Sequence, residues 1–162
     1  MVVNKSLDSF YSIFDHSIFQ ATIDQIVYLA ILMPIVASMG GVAGTQTLTI
    51  MIRGLTLQQI NQSNLRWLYK REVAVSIVNG IVLSILVGGI TYLWFDDLII
   101  AVLICVAMVT NLICSAVAGI FIPIILRKFN QDPAIAGSVV VTTVTDVIGF
   151  FSFLGLATLF LV

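Results

Sequence analysis

The sequence predicts an all-α integral membrane protein: a bundle of about four transmembrane helices, preceded by an N-terminal amphipathic or partial helix. Three observations predict it. First, 60% of the 162 residues are hydrophobic and only 9% are charged, with a mean hydropathy of +1.14. Soluble domains carry about 25% charged residues, and a water-facing surface cannot be built from so few. Second, the charges are spaced in gaps. None lies between Asp24 and Arg53, between Glu72 and Asp96, or between Asp97 and Arg127, and residues 133–162 hold only Asp146. Each gap matches or exceeds the roughly 20 apolar residues that cross a bilayer. Third, Lys and Arg alternate between connections, as multi-pass chains require.

The elements follow in chain order. Residues 1–24 include Lys5, Asp8, Asp15, His16 and Asp24, without the basic start and apolar core of a signal peptide. Phe10, Tyr11, Phe14, Ile18 and Phe19 recur at roughly helical spacing, which suggests a segment lying in the membrane interface. The alternative is the outer end of a helix that begins earlier. The charge gaps then place spanning helices at about 25–52, 72–95, 98–126 and 133–161. They must be helices, because a bilayer offers free backbone groups no partner outside the segment. Arg53, Arg66, Lys70 and Arg71 fall in the first connection and Arg127 and Lys128 in the third, while the second holds Asp96 and Asp97. The positive-inside rule puts 53–71 and 127–132 in the cytoplasm and both termini outside, in a multi-pass protein of the cell inner (plasma) membrane. Trp67 and Tyr69 at the inner side, and Tyr92 and Trp94 at the outer, are interface anchors.

Composition also excludes. A net charge of −1 with no basic block argues against nucleic acid. Cys105 and Cys114 match no metal or disulfide spacing and read as small apolar side chains. The single histidine, His16, lies outside the spans, so intramembrane Ser-His proteolysis and multi-histidine metal catalysis lack their usual parts. No nucleophile–base pair and no phosphate-binding Gly-x-x-x-x-Gly-Lys-Ser/Thr loop is present. The chain reads as neither an enzyme nor a primary pump.

Asp146 is the strongest functional signal. Pro133 suits the first position of its helix, and Asp132 suits the cap. At about 1.5 Å per residue, Asp146 lies about 20 Å along, near the bilayer midplane. A carboxylate there costs about 2.5–3.5 kcal/mol on insertion scales, and no span holds a Lys, Arg or His to offset it. It is protonated, faces water, or binds a cation; a protonated Asp in an interhelical hydrogen bond is the plainer reading. Ser138, Thr142, Thr145 and Asp146 fall on one helical face, with Gly149 a turn on and Thr143 beside it. Thr hydroxyls can bond their own helix, so the stripe gains meaning only beside the carboxylate.

The stretch "MPIVASMGGVAGTQTLTIMIRGL", residues 33–55, spends many positions on residues that weaken a helix. Pro34 removes a backbone donor. Gly40, Gly41 and Gly44 allow two readings. They expose carbonyl oxygens to a cavity, which with a carboxylate would suit hydrated Mg²⁺; or they form a small-residue face against another helix. Gln46, Asn79 and Asn111 read first as interhelical hydrogen bonders, and Pro123 with Gly119 as a kink.

These residues, as a set, resemble the MgtE family of magnesium channels. "PIVASMGGVAGTQTLTIMIRGL" resembles that family's second membrane helix, "REVAVSIVNG" the start of the third, "NLICSAVAGIFIPIIL" the fourth and "DPAIAGSVVVTTVTDVIGFF" the fifth, in order from about Gln20 onward. The resemblance implies a homodimer with its pore between the chains, walled by the second and fifth helices. It implies that Asp146 holds hydrated Mg²⁺ through water, that the Thr142 backbone oxygen faces the ion, and that Gly41 and Gly44 belong to the glycine-rich wall. Asp146, Thr142, Gly41 and Gly44 are thus the candidate metal residues; Ser138, near the inner gate, with Thr145, Gln46 and Val42, are the candidate pore and gate residues. Mg²⁺ is the implied transported and bound ion, with Mn²⁺ and Ca²⁺ as further candidates. Val42 stands where the family usually has Asn, which removes an amide from the wall. Residues 1–20 stand where a first helix would be, and the family's acidic N domain and CBS domains have no counterpart in these 162 residues. A pore without their feedback is the expectation. The rival expectations are a transporter that couples Mg²⁺ to Na⁺ or H⁺, and a non-conducting scaffold subunit.

Overall fold

The computed structural model describes the backbone of residues 2–60 and 62–161, and the side chains of residues 27–60 and 64–160. Four helices make up the described chain: α1 (Val2–Thr56), α2 (Gln62–Phe95), α3 (Leu98–Lys128) and α4 (Pro133–Leu161). Each contains a stretch long and apolar enough to cross a membrane: Val27–Thr56, Asn64–Phe95, Leu98–Lys128 and Pro133–Phe160. The chain divides into two units, Met1–Leu32 and Met33–Val162. The first is the outer part of α1; its backbone is helical from Val2, and the side chains behind the interfacial reading of residues 1–24 lie outside the described residues. The second unit forms the bundle.

The helices extend beyond the charge-gap reading: α1 is already helical at Val2, and α3 runs to Lys128. α2 starts ten residues before residue 72, and α1 runs four residues past 52. Arg53, Arg66, Lys70 and Arg71 mark where the lipid ends, not where the helix ends, because Lys and Arg are good helix formers. The three connections are short, and each turns through a left-handed residue: Gln58 (φ 54°), Asp96 (φ 49°) and Asn130 (φ 56°). Such residues close helix ends by returning backbone N–H groups to the last turn. Gln59 N donates to Gly54 O (3.0 Å), Asp96 N to Tyr92 O (2.9 Å) and Gln131 N to Leu126 O (2.9 Å). The next helices start on carboxylate caps. Asp97 Oδ1 accepts from Ile99 N (2.8 Å) and Ile100 N (3.3 Å), and Asp132 Oδ1 accepts from Ala134 N (2.9 Å).

α3 is the centre of the bundle. Half of its spanning window is buried, against a third or less for the others. Its contacts set the directions of its neighbours. Gly40 and Gly44 of α1 meet Asn111 and Ser115, so α1 runs parallel to α3. Gly80 and Gly88 of α2 meet Val109 and Ala101, so α2 runs antiparallel. α1 and α4 are antiparallel too, since Leu48 meets Gly137, Gly44 meets Val141 and Ala37 meets Gly149. At the end of the bundle near the α1–α2 connection, Met51, Leu68 and Ile120 form a core from α1, α2 and α3, flanked by Ile60, Leu65, Tyr69 and Ile124.

The tightest approach is between α1 and α3. A Cβ on Gly119 would lie 2.7 Å from the Gly44 carbonyl oxygen and 2.8 Å from Thr47 Cβ, neither of which can swing away. Lipid supplies no hydrophobic drive between helices, so such contacts hold the bundle through dispersion and close approach. Gly119→Ala should therefore destabilise the chain by about 1–3 kcal/mol. Gly89→Ala, with nothing within 4 Å of the new methyl, should be neutral or mildly stabilising. Thermal aggregation in detergent, followed by size-exclusion fluorescence, measures both.

Candidate functional site

Asp146 is 13 residues beyond Pro133 and 15 short of Leu161, at the middle of α4. It is partly exposed, on the strip that also carries Ser138 and Thr142 at successive i+4 steps. The adjoining strip, Val141, Thr145, Gly149 and Phe153, is buried against the bundle. The stripe expected on one face is thus divided. Ser138, Thr142 and Asp146 lie outward, whereas Thr145 is fully buried and Gly149 meets Asn111 and Ala37. Among the described residues no hydrogen bond or ion pair engages the Asp146 carboxylate. No Lys, Arg or His lies between 27 and 52, 73 and 95, 98 and 126, or 134 and 160.

The hydroxyls near Asp146 are occupied within their own helices. Thr142 Oγ1 donates to Ser138 O (2.9 Å) and Val139 O (3.1 Å), and Thr143 Oγ1 to Val139 O (2.8 Å). Thr145 Oγ1 donates to Thr142 O at 3.0 Å. The Thr142 carbonyl therefore already accepts a side-chain hydroxyl; a carbonyl oxygen with two lone pairs has little capacity beyond this and its helical N–H.

α1 packs beside this part of α4. Gly41 faces α4, where a Cβ would sit 3.4 Å from Thr142 Cγ2, and Gly44 faces both Val141 and Ser115. Both glycines are buried and hold α1 against its neighbours within the chain. The Gly41 carbonyl accepts from Thr45 Oγ1 at 3.0 Å. Turned outward on α1 are Ser38, Val42, Gln46 and Thr49, with Val42 57% exposed. The antiparallel pairing of Gly44 with Val141 and Ala37 with Gly149 puts Asp146 at the height of Met39 and Gly40. Ser38 and Val42 are the outward α1 residues nearest that height. The outward faces of α1 and α4 thus carry hydroxyls, the Gln46 amide, one carboxylate, and an apolar residue at position 42. Where α1 ends and α4 begins, an open cavity of about 610 Å³ is lined by Ile52, Thr56, Gln58, Arg127, Gln131 and Asp132.

Two residues gain weight from the structure. Asn111 is fully buried, and its Nδ2 donates to Val36 O at 2.7 Å, the interhelical bond expected of it. Its Oδ1 is buried without a partner among the described residues, and Gly40 and Gly149 make room for the amide. Glu72, which in sequence only marks the edge of a charge gap, is buried, with Thr47 Oγ1 donating to its Oε2 at 3.4 Å. No local signal separates it from an interface carboxylate, since burial depends on where α1 lies. Asn79 and Gln46 are exposed on the single chain. Cys105 donates to Ser84 O at 3.1 Å, and neither cysteine is in a disulfide. No group of His, Cys, Asp and Glu side chains able to hold a metal occurs among the described residues of one chain.

The fold defines a multi-pass helical membrane protein with a carboxylate midway along α4 that has no partner among the described residues. The chain belongs to the MgtE family, described as divalent cation transporters, whose profile matches residues 33–156. It is 35% identical over 145 residues to the magnesium transporter MgtE of Bacillus subtilis (strain 168), covering 90% of this chain and 32% of that protein. It is 28% identical over 143 residues to the magnesium transporter MgtE of Thermus thermophilus, covering 88% of this chain and 32% of that protein. The chain thus spans about a third of the length of the curated relatives it matches.

The two wall glycines should differ on substitution. In Gly44→Ala the new methyl meets Val141 Cγ1 at 2.6 Å, whereas in Gly41→Ala it makes ordinary contact at 3.4 Å. Gly44→Ala should lower thermal stability by about 1–3 kcal/mol, and Gly41→Ala by less than about 1 kcal/mol. The same detergent melting assay compares them.

Proposed function

We propose that this chain forms the pore of a passive Mg²⁺ channel in the cell's plasma membrane, with two copies facing each other across the α1–α4 groove. The observation that carries the reading is Asp146: a carboxylate midway along a membrane-length helix, outward on its own chain, with no basic residue in any span. Its desolvation cost of about 2.5–3.5 kcal/mol is relieved by water and a cation. One carboxylate half-neutralises a divalent ion, and two related by a twofold axis balance it. Mg²⁺ releases its waters reluctantly and is held through them, so the carboxylates would grip a hydrated ion. Family membership supports the choice of ion, since the relatives are named magnesium transporters.

On this reading Asp146 supplies charge, and Ser138, Thr142 and Thr49 give the groove polar atoms. Gly41 and Gly44 act by drawing α1 close enough to α4 for the groove to exist. Thr145, from inside, fixes the Thr142 turn. Val42 leaves an apolar patch nearly level with Asp146, and Gln46 lies one turn inward. With the basic loops 53–71 and 127–132 in the cytoplasm, the membrane potential favours entry by about 2.3 kcal/mol per charge per 100 mV, and twice that for a divalent ion. Mn²⁺ and Ca²⁺ are tested beside Mg²⁺.

Proteoliposomes carrying this chain should show Mg²⁺ influx driven by a potassium-diffusion potential, without a sodium or proton gradient. Asp146→Asn should reduce that influx at least about tenfold, while eluting and melting like the parent. Influx that needs a sodium or proton gradient would instead assign coupled transport. Background signals from both proteins would assign a non-conducting subunit.

A further inference from the structure

The inner end of the bundle carries a second feature, remote from Asp146. An open groove of about 690 Å³ lies between the end of α1 and the start of α2. Its lining is two-sided: Arg53, Gln59 and Asn64 are polar, and Leu57, Trp67 and Leu68 are apolar. The Arg71 guanidinium lies 5.6 Å from the Trp67 ring centroid, within cation–π range. That contact holds a second cation against Trp67, a residue of the groove that Arg53 also lines. Residues 53–71 contain Arg53, Arg66, Lys70 and Arg71 and no Asp or Glu. The next acid, Glu72, is buried and turned to Thr47, so it does not neutralise the patch.

The apolar half faces outward. Trp67 is 63% and Leu57 53% exposed. Past Arg71 the outer face of α2 continues through the exposed Val75, Val78 and Val82. Arg71 to Val82 spans about 16 Å at 1.5 Å per residue, close to half of a hydrocarbon core about 30 Å thick. A cationic pocket thus sits on top of an apolar track one leaflet deep. Positive loops on the cytoplasmic side put it at the leaflet where anionic lipids attract basic groups.

We propose that this groove binds an anionic phospholipid, with its headgroup against Asn64 and Trp67, its phosphate at Arg53 and Arg71, and one acyl chain along Val75 and Val78. An acidic protein segment would satisfy the arginines but would leave Trp67 and the track below it uncovered. The site is independent of whether the chain conducts.

Native mass spectrometry of the chain released from micelles, with dioleoylphosphatidylglycerol or dioleoylphosphatidylcholine added, tests this. Phosphatidylglycerol should bind at least about fivefold more tightly. Arg53→Gln and Arg71→Gln should each weaken it about fivefold, Arg53→Lys should retain it, and Lys128→Gln, outside the groove, should leave it unchanged. Equal binding of the two lipids, or equal losses in Lys128→Gln and Arg53→Gln, would overturn the proposal. So would displacement by excess inorganic phosphate, or preferential binding of a polyglutamate peptide.

Discussion

The contact on which this molecule rests is the backbone-close crossing of α1 and α3 at Gly44 and Gly119. In lipid, apolar side chains gain nothing by meeting one another rather than acyl chains, so helices are held where surfaces interlock. Here the interlocking is done by absence: a methyl on Gly119 would strike the Gly44 carbonyl. The same run of small residues lets Asn111 reach Val36 O between Gly40 and Gly149. α1 is therefore pinned to α3 along one flank and to α4 along the next. Its remaining surface is left outward, with Ser38, Val42, Gln46 and Thr49 upon it.

That placement gives Asp146 its meaning. A carboxylate in mid-bilayer is costly whether it meets lipid or a dry interior. The single chain offers it neither counter-charge nor donor among the described residues, and leaves it partly exposed. On the proposed reading, a water-filled path completed by a second copy relieves that cost. The glycines serve this arrangement indirectly. Their carbonyls are inside the chain or already bonded, as Gly41 O is to Thr45. They set distance, and the carboxylate sets charge.

Much of the fold is legible in the sequence because charge is so sparse. Gaps between charges locate four membrane-length helices, and Asp132–Pro133 marks the start of α4 to the residue. The start of α2 lies ten residues from the gap's edge because basic side chains tolerate helix and reject only lipid. Asn111 is legible as an interhelical bonder, since an amide in a span has few other outlets. The inward turn of Thr145 is not legible. Thr145 and Asp146 are one residue apart, and the crossing of α4 over α1 decides which of the two faces inward. Glu72 escapes sequence reasoning on the same ground: its burial is set by the position of Thr47 on another helix. For Gly41 and Gly44 the sequence allows both a pore wall and a helix contact; the geometry within one chain displays the contact.

Whether the α1–α4 groove faces its own copy across water is tested most directly by Thr142→Cys, one turn from Asp146, in a background with Cys105→Ala and Cys114→Ala. In membranes treated with a short bifunctional thiol reagent, a covalent dimer is the expected product. That dimer should disappear when the membranes are first treated with a water-soluble, charged thiol blocker. A chain that stays monomeric, with its introduced thiol unreactive to the charged blocker, would contradict the account, because the groove would then face lipid.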